Sequence, residues 1–271
     1  MISAYSQNFR GGAVLWRATN RPEDALNYRF YERRPVEVLR IAEDAELLNP
    51  NNPLIALLDS WSLPWGTNRS MIPEQSCDFD AEQGLVKAWA YMGGLRRLDD
   101  ILDVSDVPHT ISQHRDTFHK LHLQEVRHIA VDFDSDTVNL YFPANGPISE
   151  TMAKDLVELA GFSDFSTDDL ADMPEFLSPE SFTFAVTIEV ATGEIKRVAF
   201  YALGLAPGFS PEIGDRLTTF FREAPSYDEE NFTAVAWSFG AGKEKYIKAE
   251  KSYCGGVIPL LRKWKSNGFQ R

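Results

Sequence analysis

Read at a spacing of two, several stretches of this 271-residue chain place cations and hydrogen-bonding aromatics on one face of a strand. Lys87 and Trp89 share such a face, and so do Asn139 and Tyr141. Arg197 joins Tyr201 across Ala199, and Lys248, Glu250 and Ser252 line up. Towards the N-terminus Arg17 stands among apolar neighbours, and Asn27, Arg29 and Tyr31 share a further face. Few acidic residues occupy these faces. If the faces converge on one interior, cations without counter-charge are costly there. An anion rich in oxygens, such as a diphosphate, would supply the missing charge, because Arg matches it by forked hydrogen bonds and Lys as a point charge. The competing reading is that these are solvated strand faces whose cations pair locally. Spacing alone leaves both open.

The elements that must position these residues read as five hairpins with helices between them. The clearest lies within residues 121–142, where two runs rich in β-branched and aromatic residues flank an Asp134-Ser135-Asp136 turn. In its second run Thr137, Asn139 and Tyr141 face one way and Val138, Leu140 and Phe142 the other. The other strand pairs fall at 11–19 with 25–32, 76–80 with 84–92, 181–190 with 194–203, and 232–239 with 244–253. Helical periodicity predicts helices at 35–48, 53–58, 95–102, 111–123, 149–160, 167–176, 210–222 and 256–266. Ten antiparallel strands can remove their edges by closing into one barrel. If helices cover the outside, the outer strand faces must be apolar and the polar faces point inward. No linker, charge block or low-complexity tract divides the chain, so 1–271 reads as a single domain.

Composition narrows the function classes. A net charge of −13 argues against nucleic acid or an anionic membrane as partner. There is no apolar run of transmembrane length and no signal peptide. Two cysteines, Cys77 and Cys254, do not suggest a disulfide scaffold. A cytoplasmic protein is expected.

The ordered pieces resemble one family. The Asp132-to-Phe142 hairpin, with Thr137-Val138-Asn139-Leu140-Tyr141-Phe142, is similar to that of the soluble aromatic prenyltransferases of the ABBA type. These include the clorobiocin-type, naphterpin-type and phenazine-type enzymes and fungal relatives. The likeness continues in register through 84–89, 181–183, 192–197 and 243–250. It implies an α+β fold: a ten-stranded antiparallel barrel with a solvent-filled lumen, ringed by helices and built from five α-β-β-α repeats. It also implies a helix before the first strand. This chain begins almost at that strand, so the expectation is either a shortened sequence or a missing outer helix.

Carried over by position, the resemblance assigns Lys87, Asn139, Arg197 and Lys248 to a prenyl diphosphate, with Arg17 and Arg29 joining them. Magnesium-using members place an aspartate on the second strand, flanked by hydroxyl residues. Here Asn27 occupies that place, and Arg17 and Arg29 the hydroxyl positions, so no metal and no cofactor is expected. Where some members have a tyrosine near the phosphate, this chain has Ala185. The implied reaction is ionisation of dimethylallyl diphosphate followed by attack of an electron-rich aromatic ring, with Glu250 orienting the acceptor and taking up the ring proton. A salt bridge to Lys248 is the other role open to Glu250. The pocket is expected to take Asn27, Trp89, Arg127, Tyr141, Thr183, Tyr201, Trp237 and Ser252, and either Arg127 or His128 is placed to touch the acceptor. The partners are the two small molecules, and a monomer is expected. A non-catalytic barrel binding an aromatic or isoprenoid ligand is the alternative.

Three other motifs carry less. Asp99-Asp100-Ile101-Leu102-Asp103 spells an aspartate-rich metal motif, but the enzymes that use it pair two such motifs on a helical bundle. Residues 132–136 resemble a calcium loop without its glycine and distal glutamate. Gly240-Ala241-Gly242-Lys243 lacks the Ser/Thr and strand-to-helix setting of a phosphate loop. The five histidines all fall between His109 and His128 without partners at zinc spacing.

Overall fold

The computed structural model describes residues 13–31, 38–66, 71–80, 84–163, 165–171, 173–205 and 211–264. Its ten strands are β1 (Ala13–Thr19), β2 (Asn27–Tyr31), β3 (Glu74–Asp80), β4 (Gly84–Arg97), β5 (Glu125–Asp132), β6 (Thr137–Asn145), β7 (Ser181–Glu189), β8 (Ile195–Leu203), β9 (Thr233–Gly240) and β10 (Lys245–Cys254). Every neighbouring pair is antiparallel, and β1 pairs with both β2 and β10, so the sheet closes on itself. Closure leaves no edge strand. The expected barrel is therefore present.

The outward strand positions explain why helices surround it. Val138, Leu140 and Phe142 of β6, Phe182, Phe184, Val186 and Ile188 of β7, and Val198 and Phe200 of β8 all belong to one buried apolar cluster. That cluster also takes in Leu54, Leu58 and Trp61 of helix α2 (Pro53–Trp61), after α1 (Val38–Asp44). It continues through α3 (Leu98–Leu102), α4 (His109–Ser112), α5 (Arg115–Lys120), α6 (Glu150–Glu158), α7 (Thr167–Leu170), α8 (Met173–Phe176) and α9 (Asp215–Glu223), each with at least one residue in it or packed against it. A last helix, α10 (Val257–Lys263), packs with Leu15, Tyr91 and Phe232 in a second cluster. None of the helices described is long and apolar enough to cross a membrane.

The hairpins follow the sequence expectation closely; the helices are shorter. Residues 95–97 belong to β4, not to a helix, because Gly93 and Gly94 take φ of +75° and +159° and let the strand bend and resume pairing at Arg96–Val126. A Cβ at Gly93 would stand 3.0 Å from the backbone of Ile72, so only glycine suits the bend. The expected helix at 111–123 is two short helices, and that at 167–176 is also two. The start of the helix expected at 35–48, and the region before β1, where either a shortened sequence or a missing outer helix was expected, lie outside the described residues. The aspartate-rich stretch is a short solvated helix: Asp99 accepts from Arg115 and His119, and Asp103 from Arg115. The Asp-rich turn after β5 is a hairpin turn, with Asp136 at φ +49° and the Asp132 carboxylate accepting the Ser135 amide at 3.1 Å.

Candidate active site

Strand register brings the polar faces together in the lumen. Arg17 lies opposite both Glu250 and Asn27, Arg29 opposite Asp78, Lys87 opposite Asp78 and Asp132, and Asn139 opposite Thr187. Thr187 in turn faces Arg197, and Lys248 faces Ala236. The expectation of few inward acids needs correction here. Asp78, of which 1% is exposed, binds Arg17 and Arg29 at 2.5 Å each. Asp132 lies 3.5 Å from Lys87. Glu250 is 3.4 Å from Arg17 and 3.2 Å from Arg29, so among the described residues it pairs with the arginines and not with Lys248. Burial alone would raise the Asp78 carboxyl; the guanidiniums of Arg29 and Arg17 outweigh it and hold that group below its ordinary range.

Three cations, Arg197, Lys248 and Lys87, define the rest of this end. Among the described residues Arg197 and Lys248 have no carboxylate within salt-bridge distance; both lie over the Tyr246 ring, at 5.6 and 5.4 Å from its centroid. Burial, then the charges of Arg197, Arg17 and Lys87, push the Lys248 ammonium well below its ordinary value, with Glu250 opposing. Lys87 falls to about 8, chiefly through burial, with Arg197 and Arg17 adding to it against Asp132 and Asp78. Positive charge exceeds negative charge at this level of the barrel.

Buried polar atoms point the same way. Asn139 Oδ1 accepts from the Thr187 hydroxyl at 2.7 Å, leaving its Nδ2 without a partner. Asn27 Oδ1, Trp89 Nε1 and Ser238 Oγ are likewise buried and unpartnered. All four belong to inward strand positions. Buried polar groups are normally satisfied, so unsatisfied ones on four strands around one lumen mark a ligand site.

Beyond the cations the lumen turns aromatic. Trp89 and Tyr141 have ring centroids 4.8 Å apart, Tyr141 and Tyr201 5.9 Å. Arg29 lies 4.2 Å over Trp89. Burial raises both tyrosines above their ordinary value, so both phenols keep their protons. A cavity of about 60 Å³ lies here, with Trp89, His128, Tyr141, Thr183, Tyr201 and Glu250 among its lining. Leu261 and Trp264 close it on the side of α10, where Trp264 stacks on Tyr91 at 4.9 Å. Ala185, opposite both Tyr141 and Ala199, puts only a methyl group on this wall.

Of the residues expected in the pocket, three are not placed as sequence reading had them. Trp237 lies opposite Phe200 on the outer face and packs against Phe176, because the inward residues of β9 are Ala234, Ala236 and Ser238. Arg127 alternates with the cavity-lining His128 and donates to the Trp264 carbonyl at 2.9 Å, beneath the floor. Ser252 accepts the Phe232 amide at 3.0 Å and is fully buried, which fastens the end of β10 to the residue before β9. Tyr31 lies among side chains outside those described. Sequence reading missed Asp78, Asp132, Ser238 and Tyr246. The first two carried a period-two signal opposite Lys87, and Ser238 and Tyr246 share a face with Lys248 once the β9–β10 register is known.

Comparison with known proteins agrees with this geometry. Residues 1–265 match the family model described as aromatic prenyltransferase Orf2. An aromatic prenyltransferase of Sclerotinia sclerotiorum is 51% identical over 97% of this chain and 85% of its own length. One from Botryotinia fuckeliana is 48% identical with the same coverage. The 4-hydroxyphenylpyruvate 3-dimethylallyltransferase of Streptomyces niveus is 36% identical over 97% of this chain and 80% of its own length. With a closed barrel, an inward cation cluster and this match across nearly its whole length, the chain belongs to the aromatic prenyltransferase Orf2 family.

Proposed function

We infer that this chain transfers a dimethylallyl group from dimethylallyl diphosphate to an electron-rich aromatic acceptor and releases diphosphate. The observation that carries this reading is the pair Arg197 and Lys248, inward cations with no carboxylate beside them among the described residues, next to the unpartnered Nδ2 of Asn139. Together with Lys87 they form a cradle for the leaving group. The allylic C–O bond breaks with its electron pair going to diphosphate, and fixed positive charge stabilises that developing anion. Trp89, Tyr141 and Tyr201 offer ring faces to the allyl cation, each worth roughly 0.5–2 kcal/mol. Glu250 reaches the same cavity and orients the acceptor.

A divalent metal does not fit the residues present. Asn27 stands where magnesium-using relatives carry an aspartate. The nearby carboxylates, Asp78 and Asp132, are engaged by Arg17, Arg29 and Lys87. Among the described residues no three His, Cys, Asp or Glu side chains converge as a metal site. On this reading the fixed cations do a metal's electrostatic work.

The cavity bears on how substrates enter. It measures about 60 Å³. Ligand pockets run from about 300 Å³ upward. On this reading side chains turn aside when the substrates bind. Arg17, with 20% of its side chain exposed, has more freedom than Arg29 at 6% and is placed to swing from Asp78 to the diphosphate. Small-molecule substrates in the cytoplasm, met by a monomer, complete the proposal; the acidic exterior gives no support to a nucleic-acid partner.

Calorimetric titration of dimethylallyl diphosphate in excess EDTA tests it. Binding in EDTA, lost in Arg197→Ala, followed by alkylation of phenolic acceptors, is expected. Binding that requires magnesium would overturn the metal-free cradle. Binding without alkylation of any acceptor would favour a ligand-binding barrel.

A further inference from the structure

One group in the acceptor end is not used by the cradle. His128 lines the cavity from β5 and meets three rings: Tyr91 at 5.2 Å, Tyr141 at 6.4 Å and Trp264 at 5.5 Å. Among the described residues none forms a hydrogen bond with its imidazole, and the ring lines the cavity. A neutral imidazole carries one N–H and one open lone pair. The other bases nearby are committed. Glu250 is held between Arg17 and Arg29, and the phenols of Tyr141 and Tyr201 keep their protons. Lys87 and Lys248 belong to the opposite, cationic end.

We propose that His128 is the base that takes the proton lost by the alkylated ring. The assignment rests on the prenyl-transfer reading above and deepens it. The ring carbon forms a new bond to the allyl carbon, whose bond to the diphosphate oxygen has broken with its electron pair on the leaving group. The ring C–H bond then breaks; its electron pair restores aromaticity, and the proton moves to the unprotonated imidazole nitrogen. The imidazolium passes it to solvent as products leave.

The surroundings keep this base in its active form. The charged and titratable groups facing it are Arg127 on its own strand, Tyr91 on β4, Tyr141 on β6, Arg29 on β2, Tyr201 on β8 and Glu250 on β10. Burial first, then the charges of Arg127 and Arg29, hold the imidazolium at about 3. The ring is thus neutral at any working pH. So weak a base suffices, because an alkylated aromatic cation is a far stronger acid, and a weak base gives its proton up quickly afterwards.

The test is steady-state turnover of dimethylallyl diphosphate with 4-hydroxyphenylpyruvate, unlabelled and deuterated at ring carbons 3 and 5, in the wild type, His128→Asn and His128→Phe. General-base catalysis contributes about 10²–10⁴-fold, so kcat should fall by about that much. The KM for the diphosphate should change little. A deuterium isotope effect absent from the wild type should appear in both variants, because ring deprotonation has become slow. Turnover at the wild-type rate with no isotope effect would hand the proton to diphosphate or water and overturn the assignment. Loss of donor binding in both variants would also overturn it, by making His128 a structural residue. A wild type that releases diphosphate yet alkylates no phenol would remove the transferase reading itself, which the unchanged donor chemistry would make plain.

Discussion

An ammonium set beside Arg197, Arg17 and Lys87 inside a barrel is held there against its own electrostatics. Lys248 has that position, and its charge is opposed by burial and by three like charges. Such a residue lowers the stability of the protein in exchange for an anion site. Lys248→Met keeps much of the side-chain volume and removes the charge. Its melting temperature should rise, by about 2–4 °C for each kcal/mol recovered in a chain of this size. Affinity for dimethylallyl diphosphate should fall on the order of 10- to 100-fold, the worth of one hydrogen bond to a charged group. Differential scanning calorimetry and the donor titration read both. A lower melting temperature would mean that Lys248 stabilises the barrel, against the site proposed for it. At this scale the sequence was informative: every cation singled out by spacing lies on an inward face. The acids were less legible. Asp78 and Asp132 alternate correctly on their strands, but the register that sets them against Arg29 and Lys87 is a property of the closed sheet.

Single strands show where period-two reading succeeds and where it slips. In β6 and β8 Val138, Leu140, Phe142, Val198 and Phe200 alternate with Asn139, Tyr141, Arg197 and Tyr201, and the two faces separate without ambiguity. In β9 the inward face is Ala234, Ala236 and Ser238, and the outward face Val235, Trp237 and Phe239. Small residues inside leave room for the long side chains of Lys248 and Glu250 opposite them, so the large tryptophan belongs to the wall. Trp237→Ala should cost about 3–5 kcal/mol of stability, as for other buried tryptophans. It should leave the donor dissociation constant unchanged. Denaturant unfolding and titration of the folded variant check this; a weakened donor affinity at full folding would return Trp237 to the lumen. The helices were legible as apolar periodicity but not in extent. Gly93 and Gly94 carry β4 through a bend into a stretch whose composition suits a helix, and pairing with β5 decides the outcome.

The response of the whole barrel to acid follows from what it buries. Below about pH 6.5 an unfolded chain protonates its histidines. Folded His128 stays neutral until about 3, so over that window the unfolded state binds more protons and stability falls as pH falls. Asp78 and Asp132 are held below the ordinary carboxylate range in the folded state. Their contribution is present above that range and is lost only as pH drops further. The acid response should therefore have an early and a late part. His128→Gln should flatten the early part, between about pH 6.5 and 4, and leave the late part in place. Melting temperatures across that range measure it; an unchanged slope would mean that His128 is readily protonated in the folded protein.

The residues alone determined the hairpins, the polarity of most strand faces, and which cations share a face with aromatic or amide side chains. Alternation is a local property, and local properties are written in the chain. Which charges meet, which polar atoms are left without partners, and which ring closes the floor were decided by the tertiary structure. Those outcomes depend on register and closure: a shift of one residue in any ladder moves a whole face from lumen to wall. Arg29 with Asp78, Arg17 with Glu250, and His128 against Tyr141 and Trp264 exist only because ten strands close in one register.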